Sequence, residues 1–243
     1  MKKIYFILLL LPLFAGAVDY PGNGGGGFGG AIGGSTLGVT DDGTNITFTL
    51  TKGSGNFTDV LVIYIDNKLG GGFGSTSGFS DAADGLRRAI SGFDGGSNRS
   101  IMNFTGSFKP QYAIGAAPVE TFGGVWQLAN GANNSLIFRS SVNLTPNNSQ
   151  NAATYTMTLN KADIGITGTI DFNFVATFIS NTAFRADEGI GFTNPGSNPG
   201  FGNISITSSY AYPSGVLPIS ILNLQKTISN LRKYLFGTST FTR

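Results

Sequence analysis

From Asn45 onward, apolar and polar positions alternate with a period of two. Ile46, Phe48 and Leu50 are separated by Thr47, Thr49 and Thr51, so one face of this stretch is apolar and the other carries hydroxyls. That pattern predicts a half-buried strand. It returns as Leu136, Phe138 and Val142, and again as Tyr155, Met157 and Leu159 set against Thr154, Thr156 and Thr158. It also runs through Ile170, Phe172, Phe174, Ala176 and Phe178, with Asp171 and Asn173 between them. Ile204, Ile206, Tyr210 and Tyr212 supply a last candidate strand. Threonine suits the outer face of a strand, and clusters of Gly, Asn, Asp and Pro between the runs supply turns. Several strands at this spacing predict an all-β fold, an antiparallel β-sandwich of jelly-roll-like form.

One run does not alternate. Val60-Leu61-Val62-Ile63-Tyr64-Ile65 is apolar throughout, which requires cover on both faces. Helical spacing of Leu86, Ile90 and Phe93 predicts a short helix over Asp81 to Ser91 as that cover. Ser80 or Asp81 would cap its start and Gly92 would end it. Gly85 weakens such a helix by roughly 1 kcal/mol relative to alanine.

The ends of the chain follow different rules. Residues 1–17 have the form of a secretory signal peptide: Lys2 and Lys3, the apolar stretch Ile4 to Phe14, and the small residues Ala15-Gly16-Ala17. The apolar stretch is short for a bilayer span, and cleavage after Ala17 would leave 226 of the 243 residues, a chain without a transmembrane segment. Residues 18–35 are glycine-rich and read as a flexible leader, laid across the sandwich surface at most. Residues 36–213 hold the sandwich. Residues 214–243 form a basic tail in which Leu224, Ile228, Leu231 and Leu235 fall on one helical stripe, an expected C-terminal amphipathic helix.

Composition narrows the chemistry. The chain has 15 basic and 13 acidic residues, no histidine and no cysteine. Loss of Lys2 and Lys3 makes the mature chain neutral by count. Lys226, Arg232, Lys233 and Arg243 belong to the tail, so the body is slightly acidic and has no footprint for nucleic acid. Histidine-based triads, thiol nucleophiles and the usual structural zinc sites are excluded. The 20 phenylalanines can fill a core without disulfides. Their absence suits a bacterial exported protein.

Two stretches carry resemblances. Asp59 to Asp66, the glycine-rich loop after it, Tyr112-Ala113-Ile114-Gly115 and Gly124-Val125-Trp126-Gln127-Leu128 follow the motif order of family 9 carbohydrate-binding modules and DOMON-like sandwiches, which this chain resembles over about residues 36 to 180. The resemblance implies a sandwich with a sugar-stacking site, and it makes Tyr112 and Trp126 the candidate ligand-binding residues. For Trp126 the competing reading is a core residue. Val216-Leu217-Pro218-Ile219-Ser220-Ile221-Leu222-Asn223-Leu224 resembles the junction that, in secreted proteins of Bacteroidota, precedes a type IX secretion signal. Residues 225 to 243 lack such a signal's strands, so this reading implies a truncated C-terminal region.

Other candidate chemistry is sparser. Leu69 to Thr76 is a glycine run after a strand, but it lacks the lysine of a phosphate loop and reads as a loop. Calcium is the one cofactor the composition suggests, because 11 aspartates outnumber 2 glutamates. Asp41, Asp42, Asp66 and Asp94 are the candidate metal ligands, against the ordinary turn chemistry of aspartate. Paired carboxylates about 5 to 9.5 Å apart would suffice for glycoside hydrolysis.

The expected function is therefore a non-catalytic binding module, secreted or held at the outer cell surface, or periplasmic if the terminal export signal is lost. A glycan or surface component is the expected partner. The alternatives are a structural or adhesive surface protein and a carboxylate-based glycan hydrolase.

Overall fold

The computed structural model describes residues 17–120, 122–168 and 171–213. The expected signal peptide and the amphipathic tail lie outside the described residues.

Two antiparallel sheets build the sandwich. The smaller contains β1 (Val18–Pro21), β2 (Thr36–Asp41), β3 (Asn45–Thr51) and β9 (Thr154–Asn160), in the order β1-β2-β3-β9. The larger contains β4 (Val60–Asp66), β6 (Tyr112–Ala116), β7 (Gly124–Gln127), β8 (Ile137–Ser141), β10 (Phe172–Ile179) and β11 (Arg185–Ile190), in the order β11-β10-β4-β6-β7-β8. A further strand, β13 (Tyr210–Tyr212), pairs with the first residues of β10. A separate parallel pair joins β5 (Ile101–Phe104) to β12 (Asn203–Ile206).

The alternating runs in β3, β9 and β10 fold as their periodicity predicts, whereas the expected last strand is two, β12 and β13, in different sheets. Ile46, Phe48 and Leu50 from β3 meet Tyr155, Met157 and Leu159 from β9, and together they face Phe172, Phe174, Ala176 and Phe178 from β10. On the opposite face of the smaller sheet, threonines line up across strands, Thr36 beside Thr51 beside Thr154 and Thr40 beside Thr47 beside Thr158. The hydroxyls of Thr47 and Thr158 lie 2.9 Å apart.

The continuous apolar run is β4, and every residue in it is buried. Leu61, Ile63 and Ile65 enter the core between the sheets, while Val60, Val62 and Tyr64 enter a second core on the far face. That second core is closed by α1 (Gly85–Ser91), β5 and β12, which supply Leu86, Ile90, Met102, Phe104, Ile204 and Ile206. The Tyr64 hydroxyl donates to the Ile90 carbonyl at 2.6 Å, fastening the helix to the strand beneath it.

The helix starts later than the apolar spacing implies. Its N-cap is Asp84, whose side chain accepts the Arg87 N–H at 2.8 Å, and Gly92 closes the other end in the left-handed region. Gly85 therefore sits in the first turn. Asp81 is buried upstream, where it accepts the Arg87 guanidinium at 2.6 Å and the Leu136 N–H at 3.0 Å.

Two expectations are corrected. Residues 18–35 are not a leader outside the domain: β1 pairs with β2 in register, and Ala31 and Ile32 are wholly buried in the core between the sheets. The edge position of β1 suits a glycine-poor start to a glycine-rich segment. Leu136, Phe138 and Val142 do not share a face. The β7–β8 register shifts, pairing Val125 with Ser140 and Trp126 with Phe138, so Arg139 is an extra residue. That bulge reverses the phase of the strand. Leu136 enters the helix-covered core, Val142 the sandwich core, and Phe138 remains 44% exposed.

Candidate functional site

An open cleft of roughly 560 Å³ lies at the end of the helix-covered face, lined by Asp66, Lys68, Lys109, Gln111 and Asn173, with Ser107 and glycines 70–72 at its rim. Three separate pieces of chain meet there. Asp66 ends β4, Asn173 stands opposite it in the β4–β10 ladder, and Lys109 and Gln111 lie in the connection that enters β6.

Asp66 organises the floor. Its buried carboxylate accepts the Lys68 N–H at 2.9 Å and the Gln111 amide at 3.2 Å on one oxygen, and the Lys109 N–H at 2.9 Å on the other. A buried carboxylate is tolerated when its lone pairs are taken up in this way. Gln111 in turn accepts the Asn67 N–H at 2.8 Å, which ties the turn after β4 to the entry of β6. A Cβ at Gly72 would collide with the Lys109 carbonyl oxygen, so the absence of a side chain there lets the glycine loop close against the 109–111 segment.

Among the described residues, one buried side-chain acceptor of the cleft is unfilled. The Oδ1 atom of Asn173 is buried and has no hydrogen-bond partner. Such a group at the floor of a polar cleft is a point at which a ligand hydroxyl or a water would be held.

Of the six residues singled out in the sequence, only Asp66 belongs to this cleft. Trp126 is 1% exposed and Tyr112 is 9% exposed. Tyr112 fills the core between the sheets, whereas Trp126 fills the second core against Phe122 and Phe138, with the Arg87 guanidinium 5.9 Å from its ring. Neither ring presents a face to solvent, so the expected stacking platform is corrected to two core residues. The exposed aromatic surface beside Trp126 is that of Phe122 and Phe138.

The other aspartates are also separately engaged. Asp41 pairs with the Lys161 ammonium at 2.6 Å and accepts the Gly43 N–H. Asp42 accepts the N–H groups of Asn45 and Thr44, which hold its carboxyl below the usual range. Asp94 accepts the Gly96 N–H first of all and is likewise lowered. Among the described residues, no group of three or more acidic side chains is placed to hold a metal ion. The candidate calcium ligands are thus not brought together; Asp41, Asp42 and Asp94 serve turns and an ion pair, and Asp66 the cleft floor.

A second polar constellation escaped the sequence reading. Glu188 in β11 is fully buried; one of its oxygens accepts the N–H groups of Phe28 and Gly30, and the other those of Ile32 and Gly33. The glycine-rich segment wraps this carboxylate. A Cβ at Gly33 would collide with the Gly25 carbonyl, which explains why the cradle is built from glycine. Asp59 is raised by burial and secondarily by the charge of Glu188. Arg185, in the same strand, is also fully buried and donates to the Thr177 hydroxyl at 2.9 Å.

The cleft residues Lys68, Lys109, Gln111 and Asn173 were not foreseen. The available signal was the glycine run Leu69 to Thr76, whose glycines 70–72 rim the cleft. Neither a scan against protein-family models nor a search of the curated proteins finds a match for this chain.

Proposed function

We propose that the protein is a non-catalytic binding module acting outside the cell, and that it binds glycan in the cleft between Asp66, Lys109, Gln111 and Asn173. The single observation that carries this reading is the unpartnered, buried Oδ1 of Asn173 in a polar, open cleft. Sugar hydroxyls are the natural complement of a short array of amides, carboxylate and ammonium groups held by a rigid sheet. The reading is supported further by the secretory form of residues 1–17 and by the likeness in motif order to family 9 carbohydrate-binding modules. Among the described residues, Asp66 is the one carboxylate lining the cleft, and both of its oxygens are occupied, which favours binding over acid–base hydrolysis. The test is a glycan-array screen of the mature protein followed by calorimetry on any hit. Asn173→Ala should weaken binding by about tenfold, the loss of one well-made hydrogen bond and its neighbours. Unchanged affinity in a folded variant would remove the cleft from consideration.

The adhesive reading is favoured by a different observation. Strand β8 ends the larger sheet, and its Ile137 and Phe138 are exposed. An apolar edge strand is a template for pairing with another chain. Concentration-dependent self-association abolished by Ile137→Lys would support that function.

A further inference from the structure

We infer that the ligand of the Asp66–Asn173 cleft is an acidic sugar, a uronate whose carboxylate is received by the glycine loop and the two lysines. This rests on the reading of the cleft as a glycan site and adds the class of glycan.

The cleft leaves cationic side chains unused. Among the described residues, Asp66 is the only acidic group lining it, and three N–H donors occupy its oxygens. The backbone N–H groups of Gly70, Gly71 and Gly72 have no hydrogen-bond partner among the described residues, and both Gly70 and Gly71 have positive φ. Backbone amides exposed in succession on such a turn form a concavity suited to an anion. Lys68 is exposed and its ammonium has no partner among the described residues. The Lys109 ammonium makes one bond, to the Phe104 carbonyl at 2.6 Å, which leaves two of its three donors.

Among the unused side-chain groups are two ammonium groups and one buried, empty acceptor, Asn173 Oδ1. A neutral sugar carries no charge to set against the two ammonium groups. A carboxylate accepts only, and carries the complementary charge. One hydroxyl of the same sugar can donate to Asn173. A sulfate ester or free phosphate shares the oxyanion chemistry but, in the case of phosphate, lacks the sugar hydroxyls.

The experiment is calorimetry on the mature full chain with short oligomers of galacturonate, glucuronate and mannuronate, their uncharged methyl esters, sulfated oligosaccharide of matched length and inorganic phosphate. At least one uronate should bind about tenfold or more tightly than its own methyl ester. Its affinity should fall as salt rises toward physiological strength, where the screening length is about 8 Å. Lys68→Gln, at an exposed position, should erase most of the difference between acid and ester. Asn173→Asp should weaken the acid more than the ester. Equal binding of acid and ester would overturn the inference while leaving the glycan site standing. Binding of sulfated sugar alone would overturn the assignment to a uronate. Phosphate binding as tight as the best uronate would overturn the sugar requirement. Failure of every sugar, charged or neutral, against a folded protein would overturn both readings.

Discussion

The carboxylate of Glu188 accepts the backbone N–H of Ile32 at 2.8 Å, joining positions 156 residues apart in the chain. With the three companion bonds from Phe28, Gly30 and Gly33, it makes the glycine-rich segment a structural part of the sandwich. Glu188→Gln keeps the shape but turns an NH₂ group toward two N–H donors. Each hydrogen bond to a charged group contributes about 1.5 to 3 kcal/mol, so a loss of about 3 kcal/mol or more is expected. Calorimetric melting should fall by about 6 to 12 °C, and amides 28–33 should exchange faster with deuterium. An unaltered melt would show that the cradle does not hold in solution.

Phe172 and Phe174 both point into the core between the sheets, and their rings lie 6.2 Å apart. Phe172→Ala and Phe174→Ala should each cost about 3 to 5 kcal/mol in urea denaturation. Because the rings touch the same neighbours, including Phe48, the double variant should lose less or more than the sum of the two. Strict additivity would argue against their shared packing.

Trp126 and Phe138 face each other across β7 and β8, one buried and the other exposed. Trp126→Ala should cost about 3 to 5 kcal/mol, whereas Phe138→Ser should cost less than about 1 kcal/mol. Equal costs would mean that the bulge at Arg139 does not set the phase of β8.

Tyr20 donates to the Ala211 carbonyl at 2.8 Å, linking β1 to β13. Burial, and after it the charge that Tyr212 would carry, push the Tyr20 hydroxyl up to about 12 from its ordinary 10. The folded state thus holds this proton more firmly than the unfolded chain does. The stability it contributes is complete below pH of about 10 and is lost as pH rises toward about 12. Burial also raises Tyr64, Tyr155 and Tyr212, which steepens the same alkaline limb. Melting temperature followed across that window should decline less steeply for Tyr20→Phe than for the parent; an equal slope would assign the alkaline loss to other groups.

Where local pattern carried the information, the chain was legible. The period of two in β3, β9 and β10, and the unbroken apolar run in β4, each state how many faces are covered, because side chains alternate strictly along a strand. The short helix was legible from the spacing of Leu86 and Ile90, though its start was not. Ser80 or Asp81 reads as the cap, yet Asp84 takes that place, while Asp81 is buried and paired with Arg87.

What the sequence determined by itself, then, is an antiparallel all-β sandwich, its inward faces and the need for a cover over β4. The rest depended on contacts between distant segments. Arg185 to Ile190 lies outside the strands the periodicity predicts, yet it is a buried strand in which the glycine-rich segment brings four N–H groups to Glu188. Leu136 to Val142 reads as one face, yet pairing with β7 leaves Arg139 over and reverses it. Trp126 could be read as a sugar-stacking platform or as a core residue, and its packing against Phe122, Phe138 and Arg87 of α1 makes it core. The cleft combines Asp66, Lys109, Gln111 and Asn173 from three stretches of chain. Periodicity is a property of neighbours in sequence, whereas the partner of a buried charge and the convergence of a cleft are properties of neighbours in space, which only the tertiary structure supplies.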